Sequence, residues 1–131
     1  MRKDAEMKII YIAGRYRDKR GEWYVVQNIR KAEEAALFVW RNGGVALCPH
    51  KNAALFGGAT PDDIWLAGDL ELLKRCDAIW LTDGWEGSDG ARREFDFAFA
   101  NDIPRLYDCE EVKRFLDGST KHHPVYIIDP Y

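Results

Sequence analysis

Short apolar runs alternate along this chain with longer segments whose apolar residues recur every three or four positions. The first pattern is that of buried strands, the second that of amphipathic helices. Lys8 to Ala13 is nearly all apolar or β-branched and predicts a strand ending at Gly14. From Tyr24 to Arg41 the residues Val25, Ile29, Ala32, Ala36 and Val39 keep helical spacing, and Asn42-Gly43-Gly44 stops the helix. Val45 to Cys48 predicts a second strand, closed by Pro49-His50, and Lys51 to Thr60 a loop. Thr60-Pro61-Asp62-Asp63 reads as a helix start, with a capping hydroxyl, proline in the first turn and acids at the positive dipole end. That helix runs to about Arg75. Asp77 to Thr82 predicts the third strand, Asp83 to Asp89 a polar loop, and Gly90 to Asn101 another helix. Pro104 to Tyr107 and Val125 to Ile128 predict two more strands, with a short helix at Glu110 to Leu116 between them.

Strands alternating with helices imply an α/β fold: a flavodoxin-like or Rossmann-like, doubly wound, five-stranded parallel sheet with helices on both faces. In such sheets ligands sit outside the carboxyl ends of the strands, where the strand order reverses. That rule draws Gly14 to Arg17, Pro49-His50 and Asp83 to Glu94 to one edge.

Composition narrows the reading. The 131 residues suit one domain, expected from Met7 to Tyr131 behind a disordered extension at Met1 to Glu6. A net charge of −3 gives no reason to expect duplex nucleic acid as a partner. No apolar run approaches the roughly 20 residues that cross a bilayer, and no charged-then-apolar leader opens the chain, so a cytoplasmic protein without a membrane partner is expected. Cys48, Cys76 and Cys109 are widely separated and odd in number, which predicts reduced, mostly buried thiols. His50, His122 and His123 have no ligand spacing, so neither a metal nor another cofactor is expected.

Two carboxylates stand in unusual places. Wrapped at about 100° per residue, the helix after Pro61 puts Asp69 among Trp65, Leu66, Leu70, Leu72 and Leu73. On the helix after Gly90, Glu94 falls beside Ala91, Phe97 and Ala98, while Arg92, Arg93 and Asp96 point elsewhere. A carboxylate facing a core is costly unless it is paired, hydrogen-bonded or protonated. Each acid alone is as readily a loop cap or an ion-pair partner of Arg15 or Arg17. Two of them at one ligand edge suit glycosidic chemistry, in which one carboxylate attacks or stabilises the sugar's anomeric carbon and a second acid protonates the leaving group.

The loops suit an anion. Asp-Gly-Trp-Glu-Gly-Ser-Asp-Gly, from Asp83 to Gly90, leads into a helix and offers amides and the Ser88 hydroxyl; a tight turn with Ser88 or Asp89 as helix cap explains it equally well. It is neither a Walker loop nor a dinucleotide fingerprint. Arg15 and Arg17 after the first strand offer two guanidinium groups, or are exposed loop residues. Trp85 has the chemistry to stack on a base and Trp65 to line a pocket, though aromatics here are more often core; His50 orients a ligand or is a buried imidazole bonded to backbone.

The segments Tyr11-Ile-Ala-Gly-Arg-Tyr-Arg17, Cys48-Pro-His50, Gly68 to Ile79 and Ser88-Asp-Gly-Ala-Arg-Arg-Glu94 together resemble the nucleoside 2-deoxyribosyltransferase superfamily. The likeness is strongest to its DUF4406 branch, and the superfamily includes 2′-deoxynucleoside 5′-phosphate N-hydrolases. The resemblance implies a catalytic Glu94, an acid at Asp69 that helps the base depart, and Tyr11 positioning the glutamate. It further implies that Arg17 and Ser88 bind phosphate, while Asp89 would oppose it if it pointed inward, and Arg15 replaces a small hydroxyl residue. The substrate implied is a nucleoside or nucleotide, hydrolysed at its base–sugar bond. Base exchange between deoxynucleosides and nucleotide binding without turnover are the alternatives. A homodimer or larger homo-oligomer, with a neighbour completing the pocket, is also implied.

Overall fold

The computed structural model describes residues 6–52 and 59–120. The extension at Met1 to Glu6, the loop from Lys51 to Thr60 and the strand at Val125 to Ile128 fall wholly or largely outside them.

Strands β1 (Ile9–Ala13), β2 (Val45–Leu47), β3 (Ala78–Leu81) and β4 (Arg105–Leu106) form one parallel sheet in the order β2-β1-β3-β4. The helices are α1 (Glu22–Arg41), α2 (Pro49–Asn52), α3 (Asp62–Lys74), α4 (Asp89–Ala100) and α5 (Cys109–Thr120). A 3-10 turn, Trp85–Gly87, fills the loop before α4. The protein is therefore mixed α/β with four parallel strands among the described residues.

Strand periodicity sorts the core in two. Successive side chains of a strand leave opposite faces of the sheet. Ile10 and Ile12 of β1, with Ala78 and Trp80 of β3, pack against Ala32, Ala35 and Val39 of α1 and Val112 and Leu116 of α5. Tyr11 and Ala13, with Ile79 and Leu81, pack against Leu73 of α3 and Ala98 of α4. This alternation puts Tyr11 on the face that also receives α4. Leu73 is completely enclosed, and its truncation to alanine would cost about 2–5 kcal/mol.

Helix ends follow local chemistry, with some departures from expectation. α1 stops at Asn42, and Gly43 takes the left-handed φ of 92° that favours glycine. α4 begins one residue earlier than its pattern suggests, because Ser88 is the N-cap and its Oγ accepts from the Ala91 amide at 3.1 Å. The capping hydroxyl expected at Thr60 is not used: the N-cap of α3 is Pro61, without a side-chain bond, and Asp62 and Asp63 supply the favourable charge. Helix α5 continues past the expected Leu116 to Thr120. The three cysteines form no disulfide, but Cys48 and Cys76 are half-buried and Cys109 is exposed, so the expected burial is only partial. Among the described residues no helix is long and apolar enough to cross a membrane.

Candidate functional site

Strand β1 lies between β2 and β3, so the chain leaves β1 in one direction and returns on its other side. A crevice opens where such an order reverses. Here it is a cavity of about 1080 Å³, walled by the loop after β1, by Pro49 and His50 after β2, by Gly87 to Gly90 after β3, and by α3 and α4. Asp69 and Glu94 both line it. The volume is large enough for a nucleotide-sized ligand.

Gly14 shapes the floor. It is buried at the end of β1, where a Cβ would collide with the Thr82 side chain, whose hydroxyl donates to the Ala13 carbonyl at 3.0 Å. Only glycine lets the ends of β1 and β3 run this close.

The central contact joins the sheet to α4. Tyr11 donates its phenolic hydrogen to Glu94 Oε2 at 2.6 Å, a short contact that strengthens when the carboxyl ionises, and Glu94 is only 8% exposed. Glu94 sits on the inward stripe of α4 with Ala91 and Ala98, whose small side chains leave its carboxyl open to the cavity. Burial pushes the Glu94 carboxyl up to about 8; the Tyr11 hydrogen bond opposes this, and the Asp69 charge adds to it. Burial also pushes half-buried Asp69 up, to about 6. Tyr11 is raised by its own burial and by both carboxylates, so it stays a donor. Asp69 thus ionises first and its charge delays Glu94. Between about pH 6 and 8 the two acids hold a single proton, mainly on Glu94.

Asp69 follows the helical wheel less closely than Glu94 does. On α3, Leu73 is buried, Trp65, Leu66, Asp69 and Leu70 are half-buried, and Leu72 at the edge of the arc is exposed. Trp65 and Asp69 both face the cavity.

The basic residues divide. Arg17 lies at the cavity mouth with its guanidinium bonded to Asp62 at 2.6 Å, both side chains mostly exposed. Arg15 is more enclosed and is held at both ends. Its carbonyl accepts from His50 Nε2 at 3.0 Å, and its guanidinium donates to the Gly87 carbonyl at 3.3 Å, where a Cβ on Gly87 would collide with it. Asp18 carries two side-chain hydrogen bonds from Arg20, at 2.7 and 2.8 Å, and contacts Arg15 only loosely, at 3.7 Å. Asp18 also accepts from Asn28, and its carboxylate, held low by Arg20, fixes the loop after β1. The periodicity gave Asp18 no weight; its spacing from Arg15 and Arg20 was the available signal.

Several expected ligand contacts take structural roles. The Ser88 oxygen caps α4 while the residue also lines the cavity with Gly90. Asp89 lines the cavity edge, 83% exposed, and pairs with Arg92, whose charge offsets its own. His50 is buried, bonded to backbone and set edge-on to Tyr16; burial lowers its pKa, so the imidazole is neutral near pH 7. Trp85 does not line the cavity: its ring stacks on Phe95, centroids 5.0 Å apart, and packs against the core. Among the described residues no three His, Cys, Asp or Glu side chains cluster to hold a metal ion.

A family model described as a domain of unknown function matches residues 8–108. No curated protein matches the chain.

Proposed function

The chain belongs to the DUF7768 family, a domain of unknown function, and we propose that it is an N-glycosidase hydrolysing the base–sugar bond of a (deoxy)nucleoside 5′-monophosphate. The observation that carries this reading is the Tyr11–Glu94 hydrogen bond at the wall of a cavity that also contains Asp69. A buried, hydrogen-bonded carboxyl opposite a second acid with a raised pKa is the equipment that glycosidic cleavage needs. The likeness to nucleoside 2-deoxyribosyltransferases in the segments around Tyr11, Asp69 and Glu94 points the same way.

In this mechanism Glu94 acts beneath the sugar. As the C1′–N bond lengthens, its electron pair leaves with the base and positive charge grows on the sugar. That charge favours the ionised form of Glu94, which attacks C1′ or shields it. The proton that the pair shares passes to Asp69 and then to the departing base. Water then adds at C1′ in place of Glu94 and gives one proton back to the pair, which leaves the sugar phosphate and restores the two acids to their single proton. Tyr11 holds one carboxylate oxygen, leaving the other to the sugar.

At the phosphate end, Arg15, Arg17 and the first amides of α4 offer positive partners, with Ser88 beside them. Trp65 on the cavity wall suits the base. We further read the sheet as doubly wound and the working unit as a homo-oligomer in which a neighbour completes the pocket, acting in the cytoplasm. Incubation with a panel of nucleosides and 5′-monophosphates, with and without an added free base, tests the reading by chromatography. Free base released from a monophosphate without an acceptor supports hydrolysis. Product that forms only with an acceptor base would instead indicate exchange.

A further inference from the structure

Helix α1 is apolar on two opposite sides. Its inner side carries Asn28, Ala32, Ala35 and Val39, all buried. On the other side Trp23 and Trp40 are 64% and 48% exposed, and Val26 and Leu37 are 40% and 41% exposed. With Arg30 and Glu33, also exposed, these residues occupy positions 23, 26, 30, 33, 37 and 40. The alternating steps of three and four place all six within one arc of about 100°, the seam of a helix that packs on another helix.

The seam is a palindrome. About a point between Lys31 and Ala32, Trp23 mirrors Trp40, Val26 mirrors Leu37, and Arg30 mirrors Glu33. A helix laid antiparallel on a copy of itself through that point meets like with like at the ends and opposite charges at the centre. A two-fold interface requires this self-complementarity, since residue i meets j and j meets i.

We propose that the outer face of α1 docks a second copy of this chain in an antiparallel, two-fold pair. The ends contribute tryptophan against tryptophan, the residue type that most often anchors interfaces. The centre contributes two Arg30–Glu33 contacts, one in each direction. Glu34, beside the seam, brings its two copies towards the axis and offsets part of this gain. From Trp23 to Trp40 the seam is about 25 Å long, which is short beside a standard interface, so the dimer is a weak one that forms with rising concentration. This surface is on the opposite side of the sheet from the Tyr11–Glu94 contact, and the inference stands apart from the catalytic reading.

Sedimentation velocity over a concentration series tests it with Arg30→Glu and Glu33→Arg. Both residues are exposed, so a far-ultraviolet spectrum like that of the wild type is expected for each variant. The expected result is a wild-type mass that doubles with rising concentration, loss of at least tenfold in that association for each variant alone, and its return on mixing the two variants. In the mixture every central contact is again between opposite charges. Trp40→Ala should weaken the wild-type dimer independently of charge. A wild-type mass that does not change with concentration, or an association indifferent to all three variants, would overturn the proposal, as would a mixture no more associated than its parts.

Discussion

Tyr11, in the middle of β1, donates a 2.6 Å hydrogen bond to Glu94, 83 residues away on α4. The contact exists because strand alternation turns Tyr11 to the α4 side of the sheet and helical periodicity turns Glu94 inward to meet it. It favours the ionised form of Glu94 while burial favours the neutral form, and burial is the larger effect.

Replacing Tyr11 with Phe removes that donor and nothing else of size. The Glu94 carboxyl should then titrate higher, moving any alkaline limb of a pH–activity profile further up. Activity should fall on the order of tenfold to a hundredfold, since a hydrogen bond to a charged group is worth about 1.5–3 kcal/mol. A pH series of kcat/KM for wild type and variant checks both effects.

Glu94 also makes stability depend on pH. Its pKa rises from 4.5 to about 8 on folding, so the folded state holds a proton that the unfolded state releases. The sign follows: stability is greatest below about pH 4.5 for this group and is lost as pH rises towards 8, by a few kcal/mol. Glu94→Gln keeps the shape without the charge. It should raise Tm at pH 8 by several degrees and flatten the decline between pH 5 and 8, as thermal unfolding at a series of pH values would reveal.

The pair of acids predicts a bell-shaped kcat/KM with limbs near about 6 and about 8. Asp69→Asn should abolish the limb near 6. Profiles with identical acid limbs in wild type and variant would contradict the assignment.

Arg15 is set against Gly87, which has no Cβ to displace it. Gly87→Ala should push the guanidinium aside without unfolding the protein, because the obstacle is the end of a flexible side chain. For a 5′-monophosphate, KM should rise about tenfold in Gly87→Ala and Arg15→Ala, in line with about 1.4 kcal/mol. KM for the matching nucleoside should stay within about twofold of the wild type in both variants. Steady-state kinetics on both substrates checks this.

Much of this arrangement was legible in the sequence, for a physical reason. Strand and helix periods are set by backbone geometry, so an acid among apolar neighbours can be read before any coordinates. Glu94 obeyed that rule fully, whereas Asp69 is only half-buried because its own helix borders the cavity. What stayed hidden depends on contacts between distant residues. The choice of Ser88 as cap, the pairing of Asp89 with Arg92, the stacking of Trp85 on Phe95 and the grip of Gly87 on Arg15 are of this kind. The outer stripe of α1 was visible as a pattern, but only exposure separates it from the inner one.

The most direct test is the rate of base release from a nucleoside 5′-monophosphate by wild type and Glu94→Gln, measured on folded protein. Wild type should release free base, and the variant should lose on the order of a thousandfold in kcat/KM while its Tm does not fall. Base release unchanged in Glu94→Gln, or none from the wild type with any nucleoside or nucleotide, would contradict the account.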